Sequence, residues 1–256
     1  MDTVAVICCY NDQAILDSML EQGLAIQEGC EIQRVFLCNK FPSAARSYNY
    51  AISQCSADYL VFVHQDVRFL KPDFLANVVR AIKENPGCVY GLCGARLEEG
   101  KAVTYSNIYH GLLNKNVGRS IDAPVQVNGL DEVFVAFHRD ITKQLAFDEE
   151  RFDGWHIFLA DMCMQARLKN IPIYVLPEPT QHKNTLEMPK YMMIYGLYPK
   201  EYYTYLKRIC KKYKKTLPDL TVPCFSCKLN DPLLSVRIAY HRFKTACRRK
   251  LRKMTM

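Results

Sequence analysis

His64 and Asp66 stand two residues apart, with Gln65 between them, at the end of the apolar run Tyr59 to Val63. Residues two apart on a strand share a side, so an imidazole and a carboxylate are offered together. Both are metal-ligand types, and in open α/β sheets ligands bind just beyond the carboxyl ends of strands. A local cap by Asp66 is the plainer reading of this stretch alone. Two more polar features close predicted strands: Tyr10-Asn11 follows Thr3 to Cys9, and Asn39 follows Ile32 to Cys38. A tyrosine ring can stack on a nucleobase, and amides can read its edge. Arg46 and Asn49, three apart on a predicted helix, share a face, and an arginine there suits a diphosphate. Each residue taken singly also reads as a cap or a surface group. Their co-location at one sheet edge points to a nucleotide.

The elements that must position these residues follow from periodicity. Short, β-branched runs at Thr3 to Cys9, Ile32 to Cys38, Tyr59 to Val63 and Val89 to Ala95 read as strands buried on two faces. Between them, Gln13 to Gly23, Ala44 to Gln54 and a segment from Pro72 to Lys83 read as helices, with Asn11 or Asp12 and the Pro42-Ser43 pair at their starts. This alternation predicts a mostly parallel α/β sheet with right-handed connections. Neither GxGxxG nor GxxxxGK[ST] is present, so the two common phosphate loops are absent. Beyond Arg96, strands of mixed direction are expected over Lys101 to Leu112 and Pro124 to Phe137, with a short helix over Asp140 to Leu145. A turn at Phe152 to His156 precedes a helix over Ile157 to Lys169, and Ile171 to Leu176 is a further strand. From Met188 the composition turns to Tyr, Met and Lys. One or two helices are expected over Tyr191 to Tyr213, a proline-punctuated linker over Leu217 to Pro232, and a basic helix over Leu233 to Met254, with Leu234, Ile238, Tyr240 and Phe243 as its apolar face. The division that results is an α/β domain over 1–186 and a helical basic extension over 187–256.

At 256 residues and 49% hydrophobic content the chain can bury a sizeable core. It has no run of about 18 apolar residues, and its opening residues lack a charged leader pattern. The 12 cysteines lie mostly inside apolar runs, where cysteine acts as a small hydrophobe. The expectation is a reduced, cytoplasmic protein. Cys224 and Cys227 form a single Cys-x-x-Cys without the second pair that a zinc site needs. The charge is uneven. Residues 201–256 carry 15 Lys and Arg against 3 Asp and Glu, a net +12 in a chain whose total is +8, so the body is net negative. Such a tail asks for an anionic partner. It lacks glycine and regularly interleaved aromatics, which fits a membrane surface or partner helix better than nucleic acid.

The order strand-YN, strand-N, then SAARSYNYAISQCSADYLVFVHQDV resembles the family 2 inverting glycosyltransferases of GT-A fold, in particular the bacterial branch that writes His-Gln-Asp for Asp-x-Asp. The later FDGWHIFLADMCMQARLKNIPIYVLP resembles that family's acceptor loop and catalytic helix. The likeness covers about residues 3–185, and the basic tail lies outside it. It implies a GT-A-like nucleotide-binding domain with a mixed, mostly parallel sheet flanked by helices. It also implies transfer of a hexose-type sugar from a nucleoside diphosphate sugar, UDP-linked, to a hydroxyl in surface polysaccharide or glycan synthesis. Tyr10, Asn11 and Asn39 would contact the nucleoside, and Arg46 and Asn49 the diphosphate. Asp66, His64 and His182 would hold a divalent ion. Asp161 would be the general base, and Trp155 and His156 would face a saccharide or lipid-linked acceptor.

The chemistry agrees with those assignments. A metal acting as Lewis acid neutralises charge on the leaving diphosphate, and a placed carboxylate accepts the acceptor's proton. Direct attack inverts the anomeric centre. With His in place of the first acid, manganese is a better match than magnesium, because it tolerates a nitrogen donor. The family's acid pair reads Ala160-Asp161 here, leaving one carboxylate, and the Gln-x-x-Arg-Trp segment of processive synthases is missing. The thinned acid pair motivates a rival, a nucleotide-sugar-binding protein without catalysis. The +12 tail motivates another, a nucleic-acid-binding protein, and a third possibility is that the tail holds the enzyme peripherally on the inner face of the membrane.

Overall fold

The computed structural model describes residues 1–110, 115–183, 200–223, 225–240 and 242–243. Sixteen strands are described. In chain order they are β1 (Asp2–Tyr10), β2 (Cys30–Cys38), β3 (Tyr59–Val63), β4 (Val67–Phe69), β5 (Val89–Gly91), β6 (Cys93–Glu98), β7 (Lys101–Ser106) and β8 (Ile108–His110). Then follow β9 (Lys115–Asn116), β10 (Val125–Gln126), β11 (Gly129–Leu130), β12 (Phe134–His138), β13 (Ile173–Val175), β14 (Thr180–His182), β15 (Asp219–Val222) and β16 (Phe225–Lys228). Seven strands form the central sheet in the order β10-β13-β5-β12-β3-β1-β2. It is mixed: β1 runs parallel to β2 and β3, and β13 parallel to β5, while β12 is antiparallel to both of its neighbours.

Alternation along the strands divides the core. Ala5, Ile7, Leu60 and Phe62 face one side of the sheet; Val4, Val6, Cys8, Val61 and Val63 face the other. Two helical elements cover the second face. The first, α1, is α-helical over Gln13–Leu16 and Gln22–Ala25 with a π-helical Asp17–Glu21 between them, and buries Leu16, Leu20 and Leu24. The carboxylate of Asp12 caps its start by accepting from the Ile15 amide at 3.1 Å, a contact worth about 1 kcal/mol. The other, α3 (Phe74–Glu84), turns Phe74, Leu75, Val78, Val79 and Ile82 inward. Each such side chain contributes about 1.5–3 kcal/mol, which fixes the helix's rotation. On the first face lie α2 (Ala44–Gln54, capped by Ser43), α4 (Phe158–Leu168) and α5 (Lys200–Tyr213).

Three segments differ from expectation. The run Val89 to Ala95 is two strands, because β6 leaves the central sheet to pair with β7 and β11. The expected linker over Leu217 to Pro232 is a hairpin, β15–β16, with Leu220, Val222 and Leu229 buried. Pro218 and Pro223 flank β15, where they cost no ladder hydrogen bond. The composition change near 186 does not divide the core: Tyr202, Tyr203, Tyr205, Leu206, Ile209 and Tyr213 of α5 pack into the same cluster as α2 and α4. Of the basic helix, residues 234–240 and 242–243 are described and helical. Leu234 and Ile238 turn into the core, while Leu233, Val236, Tyr240 and Phe243 are more than half exposed. Cys224, residues 191–199 of the expected Tyr191 to Tyr213 helices, and the end of the basic helix lie outside the described residues. Among the described residues, no helix is long and apolar enough to cross a membrane.

Candidate active site

The carboxyl ends of β1, β2 and β3 open onto a cavity of about 470 Å³, within the size range of small-ligand sites. Tyr10, Asn11, Asn39, His64 and Asp66, the residues at the strand ends, line it together with Trp155 and His156 and with Cys9, Phe41, Ala44, Tyr48, Gln65 and Phe158.

The middle residue of His-Gln-Asp locks two strand ends together. The Gln65 amide oxygen accepts from the backbone N–H groups of Asn11 and Asp12 at 3.0 and 3.1 Å, and its Nε2 donates to Asn11 Oδ1 at 2.7 Å. The β1–α1 turn is therefore held against the end of β3, and the Asn11 side chain is partly committed to that clamp.

His182 arrives from far along the chain. β14 pairs antiparallel with β4, setting His182 opposite Val67, and the Lys183 amide donates to the Asp66 carbonyl at 2.8 Å. This register brings His182 Nε2 to 3.2 Å from Asp66 Oδ2. One potential ligand atom each from His64, Asp66 and His182 lies within 4.8 Å of the others. Two imidazoles and one carboxylate fit a first-row divalent ion such as manganese, which accepts nitrogen and oxygen donors together. Burial alone would raise the Asp66 carboxyl, but the charge of His182 and its hydrogen bond outweigh that and hold it below its ordinary value. Burial alone would lower His182, and Asp66 reverses this, so the imidazole stays above its usual value. For His64 burial prevails, and its pKa is lowered, which favours the neutral, ligating form.

Arg46 and Asn49 are not among the lining residues. The α2 positions at the cavity are Ala44 and Tyr48. Arg46 is exposed, 4.0 Å from Glu149, and Asn49 Nδ2 donates to the Phe147 carbonyl at 2.9 Å. The two share a face as expected, but that face meets the Phe147–Glu149 loop.

Asp161 is likewise not at the cavity. It is fully buried on α4. Lys212 Nζ approaches its two oxygens at 2.8 and 3.0 Å, Tyr213 Oη donates to Oδ1 at 2.9 Å, and Gln165 Nε2 donates to Oδ2 at 2.8 Å. A carboxylate surrounded by three donors is an anchor between α4 and α5; no acceptor hydroxyl reaches it in this arrangement.

Two acids that sequence reasoning passed over stand closer. Asp131 and Glu132 precede β12, whose antiparallel pairing with β3 carries them to the His64 end of that strand; His64 N–H donates to the Val133 carbonyl at 3.1 Å. Asp131 adds negative potential at His64 and His182. Glu132 Oε2 lies 3.9 Å from His156 Nδ1, and its Oε1 is buried without a hydrogen-bond partner among the described residues. An Asp-Glu pair entering an apolar strand is the signal that could have marked them.

A glycosyltransferase-like family matches residues 5–213. No curated protein sequence matches the chain. Among solved structures, S. aureus TarS residues 1–349 in complex with UDP-GlcNAc is similar at 13% identity and TM-score 0.52, over 83% of this chain and 66% of that one. GalNAc-T7 with UDP, GalNAc and Mn2+ is similar at 10% identity and TM-score 0.53, over 84% of this chain and 52% of that one. The chain thus spans between half and two thirds of their lengths, and at these identities the likeness is one of fold, the GT-A-type arrangement of a mixed sheet flanked by helices. With the family matched from β1 to the end of α5, the chain belongs to the glycosyltransferase-like family.

Proposed function

We propose that the protein transfers a hexose-type sugar from a UDP-linked donor to a hydroxyl acceptor, with inversion, as a family 2-type enzyme. One observation carries this reading: the His64, Asp66 and His182 ligand atoms gather within 4.8 Å, and His64 and Asp66 line a cavity that also presents Tyr10, Asn11 and Asn39. Such a wall can hold a diphosphate through a cation and a nucleoside beside it. The UDP-containing complexes of TarS and GalNAc-T7 support the choice of nucleotide. A bound divalent ion, manganese before magnesium, would supply Lewis-acid neutralisation of the departing diphosphate. Around it the chain's own residues do the remaining work. Gln65 holds the β1–α1 turn in place for the nucleoside, Tyr10 offers a ring for stacking, and Trp155 and His156 border the side from which an acceptor enters. An acceptor in surface polysaccharide or glycan synthesis, saccharide or lipid-linked, fits an enzyme held at an anionic membrane surface on the cytoplasmic side by its basic tail.

Calorimetry of UDP-hexoses with and without manganese tests the assignment. Manganese-dependent donor binding is expected, lost in Asp66→Asn. Binding indifferent to both the metal and Asp66 would remove the reading. The burial of Asp161 favours a second reading, a protein that binds the donor without turnover; release of UDP from bound donor separates the two.

A further inference from the structure

Burial of Asp161 leaves the proposed transfer without the carboxylate that should receive the acceptor's proton. The cavity wall offers another group. His156 lines the cavity with Asp66 and His64. Its Nδ1 is 3.9 Å from Glu132 Oε2, and its ring meets that of Tyr202 edge-on at 6.1 Å between centroids.

The backbone around His156 is held in an unusual shape. Ile157, the next residue, is buried and has φ +69°, a left-handed conformation that is a genuine outlier for a β-branched side chain. Strain of this kind persists where surrounding structure over-determines it. Here the surroundings are visible. The Ile157 backbone helps hold the Glu132 carboxyl down against burial, and the Ala44 amide donates to the Gly154 carbonyl at 3.0 Å. A Cβ on residue 154 would meet the Tyr205 hydroxyl and ring, so a larger residue there would push that ring aside. Glu132 thus stands beside both the ring of His156 and the backbone that follows it. Burial pushes its carboxyl above the ordinary value, and His156 offsets part of that push. Its second oxygen, buried and without a hydrogen-bond partner among the described residues, is the kind of group that a native structure keeps for a reason.

We propose that His156 takes the proton of the acceptor hydroxyl, with Glu132 as the positioning residue behind it. The inference rests on the transferase reading. In the step, the acceptor oxygen forms a bond to the anomeric carbon as the bond from that carbon to the diphosphate oxygen breaks. The electron pair leaves on the diphosphate, and the hydroxyl proton passes to His156 Nε2. The imidazolium that forms faces the Glu132 carboxylate through Nδ1, an orienter–base arrangement found wherever a histidine must present one nitrogen.

The test measures donor Kd and the rate of UDP release from a panel of UDP-hexoses with manganese, water serving as the hydroxyl probe. It compares the unaltered chain with His156→Gln, His156→Gly, Glu132→Gln and Asp161→Asn, and records the melting temperature of each. His156→Gln should lower kcat about 100-fold or more, the usual scale of general-base catalysis, at unchanged donor Kd. Added imidazole should restore turnover to His156→Gly. Glu132→Gln should lower kcat by a smaller factor without raising the donor KM. Folded Asp161→Asn should keep its turnover. His156→Gln turning over like the unaltered chain, or Asp161→Asn losing turnover at unchanged melting temperature, overturns the dyad and leaves the transferase reading standing. Donor binding by the unaltered chain without UDP release also overturns it, in favour of a binding protein. No donor binding at all removes the transferase reading itself, and the dyad with it.

Discussion

Gln65 carries a large share of the site's geometry although it holds no charge. It joins the β1–α1 turn to the end of β3 by three hydrogen bonds, each worth about 0.5–1.5 kcal/mol net. Gln65→Ala is therefore expected to lower the melting temperature by a few degrees, in line with the loss of one or two such bonds, and to weaken donor binding as the β1–α1 turn loosens; titration calorimetry beside a melting curve checks both. Asp66→Asn should be more severe. Removing the carboxylate takes away the anionic ligand of the three-residue cluster, and a metal's charge stabilisation is worth several kcal/mol. UDP release is expected to fall about 100-fold or more at saturating manganese. Much of this was legible in the residues. The two-residue spacing of His64 and Asp66, and the polar strand ends at Tyr10-Asn11 and Asn39, follow from the alternation of a strand and need no tertiary information. Gln65 escaped notice because an amide at a turn has no motif; its value lies in two backbone amides 54 and 53 residues earlier.

At the scale of elements, the contact between α4 and α5 decides what Asp161 is. Its carboxylate is fully buried and bonded to Lys212, Tyr213 and Gln165, and Lys212 also reaches Asp148 at 2.8 Å. Lys212→Met leaves Asp161 as an uncompensated buried charge and should cost about 3–5 kcal/mol in urea unfolding. The double variant Asp161→Leu, Lys212→Met should recover most of that loss, since a packed apolar pair can replace a buried ion pair. Asp148 adds a pH dependence. Burial would raise its carboxyl, but Lys212 and Arg151 outweigh burial and hold it below the ordinary 3.8. A carboxyl depressed in the folded state stabilises fully above that ordinary value, and the contribution disappears as pH falls through and below it. Unfolding midpoints followed from neutral pH down to about pH 3 should drop at the acid end, less steeply in Asp148→Asn. The position of α4 was legible from its periodicity and that of α5 only in part, but nothing in FLADMC tells whether its acid faces solvent, a ligand or a lysine 51 residues later.

Across the whole chain, the basic tail and the net-negative body carry opposite charge. Leu234 and Ile238 pack inward, leaving Leu233, Val236, Tyr240 and Phe243 exposed on a segment where basic residues dominate. An apolar stripe beside cationic side chains suits an anionic bilayer. Flotation with phosphatidylserine vesicles should capture the full chain at low salt and weaken as salt screens the charge; a chain ending at residue 232 that floats equally well would refute the attachment. The sequence by itself determined the alternating sheet and helices of the first ninety-odd residues and the strand ends that bear ligands, because local periodicity dictates which side chains share a face. It also settled the segregation of charge, which is a matter of composition. Only the tertiary structure decided that His182 joins His64 and Asp66, that Glu132 stands behind His156, and that Asp161 is sealed beneath Lys212. Each of those depends on strand register or helix docking between segments far apart in the chain, where burial and pairing choose the partner and no local pattern records the choice.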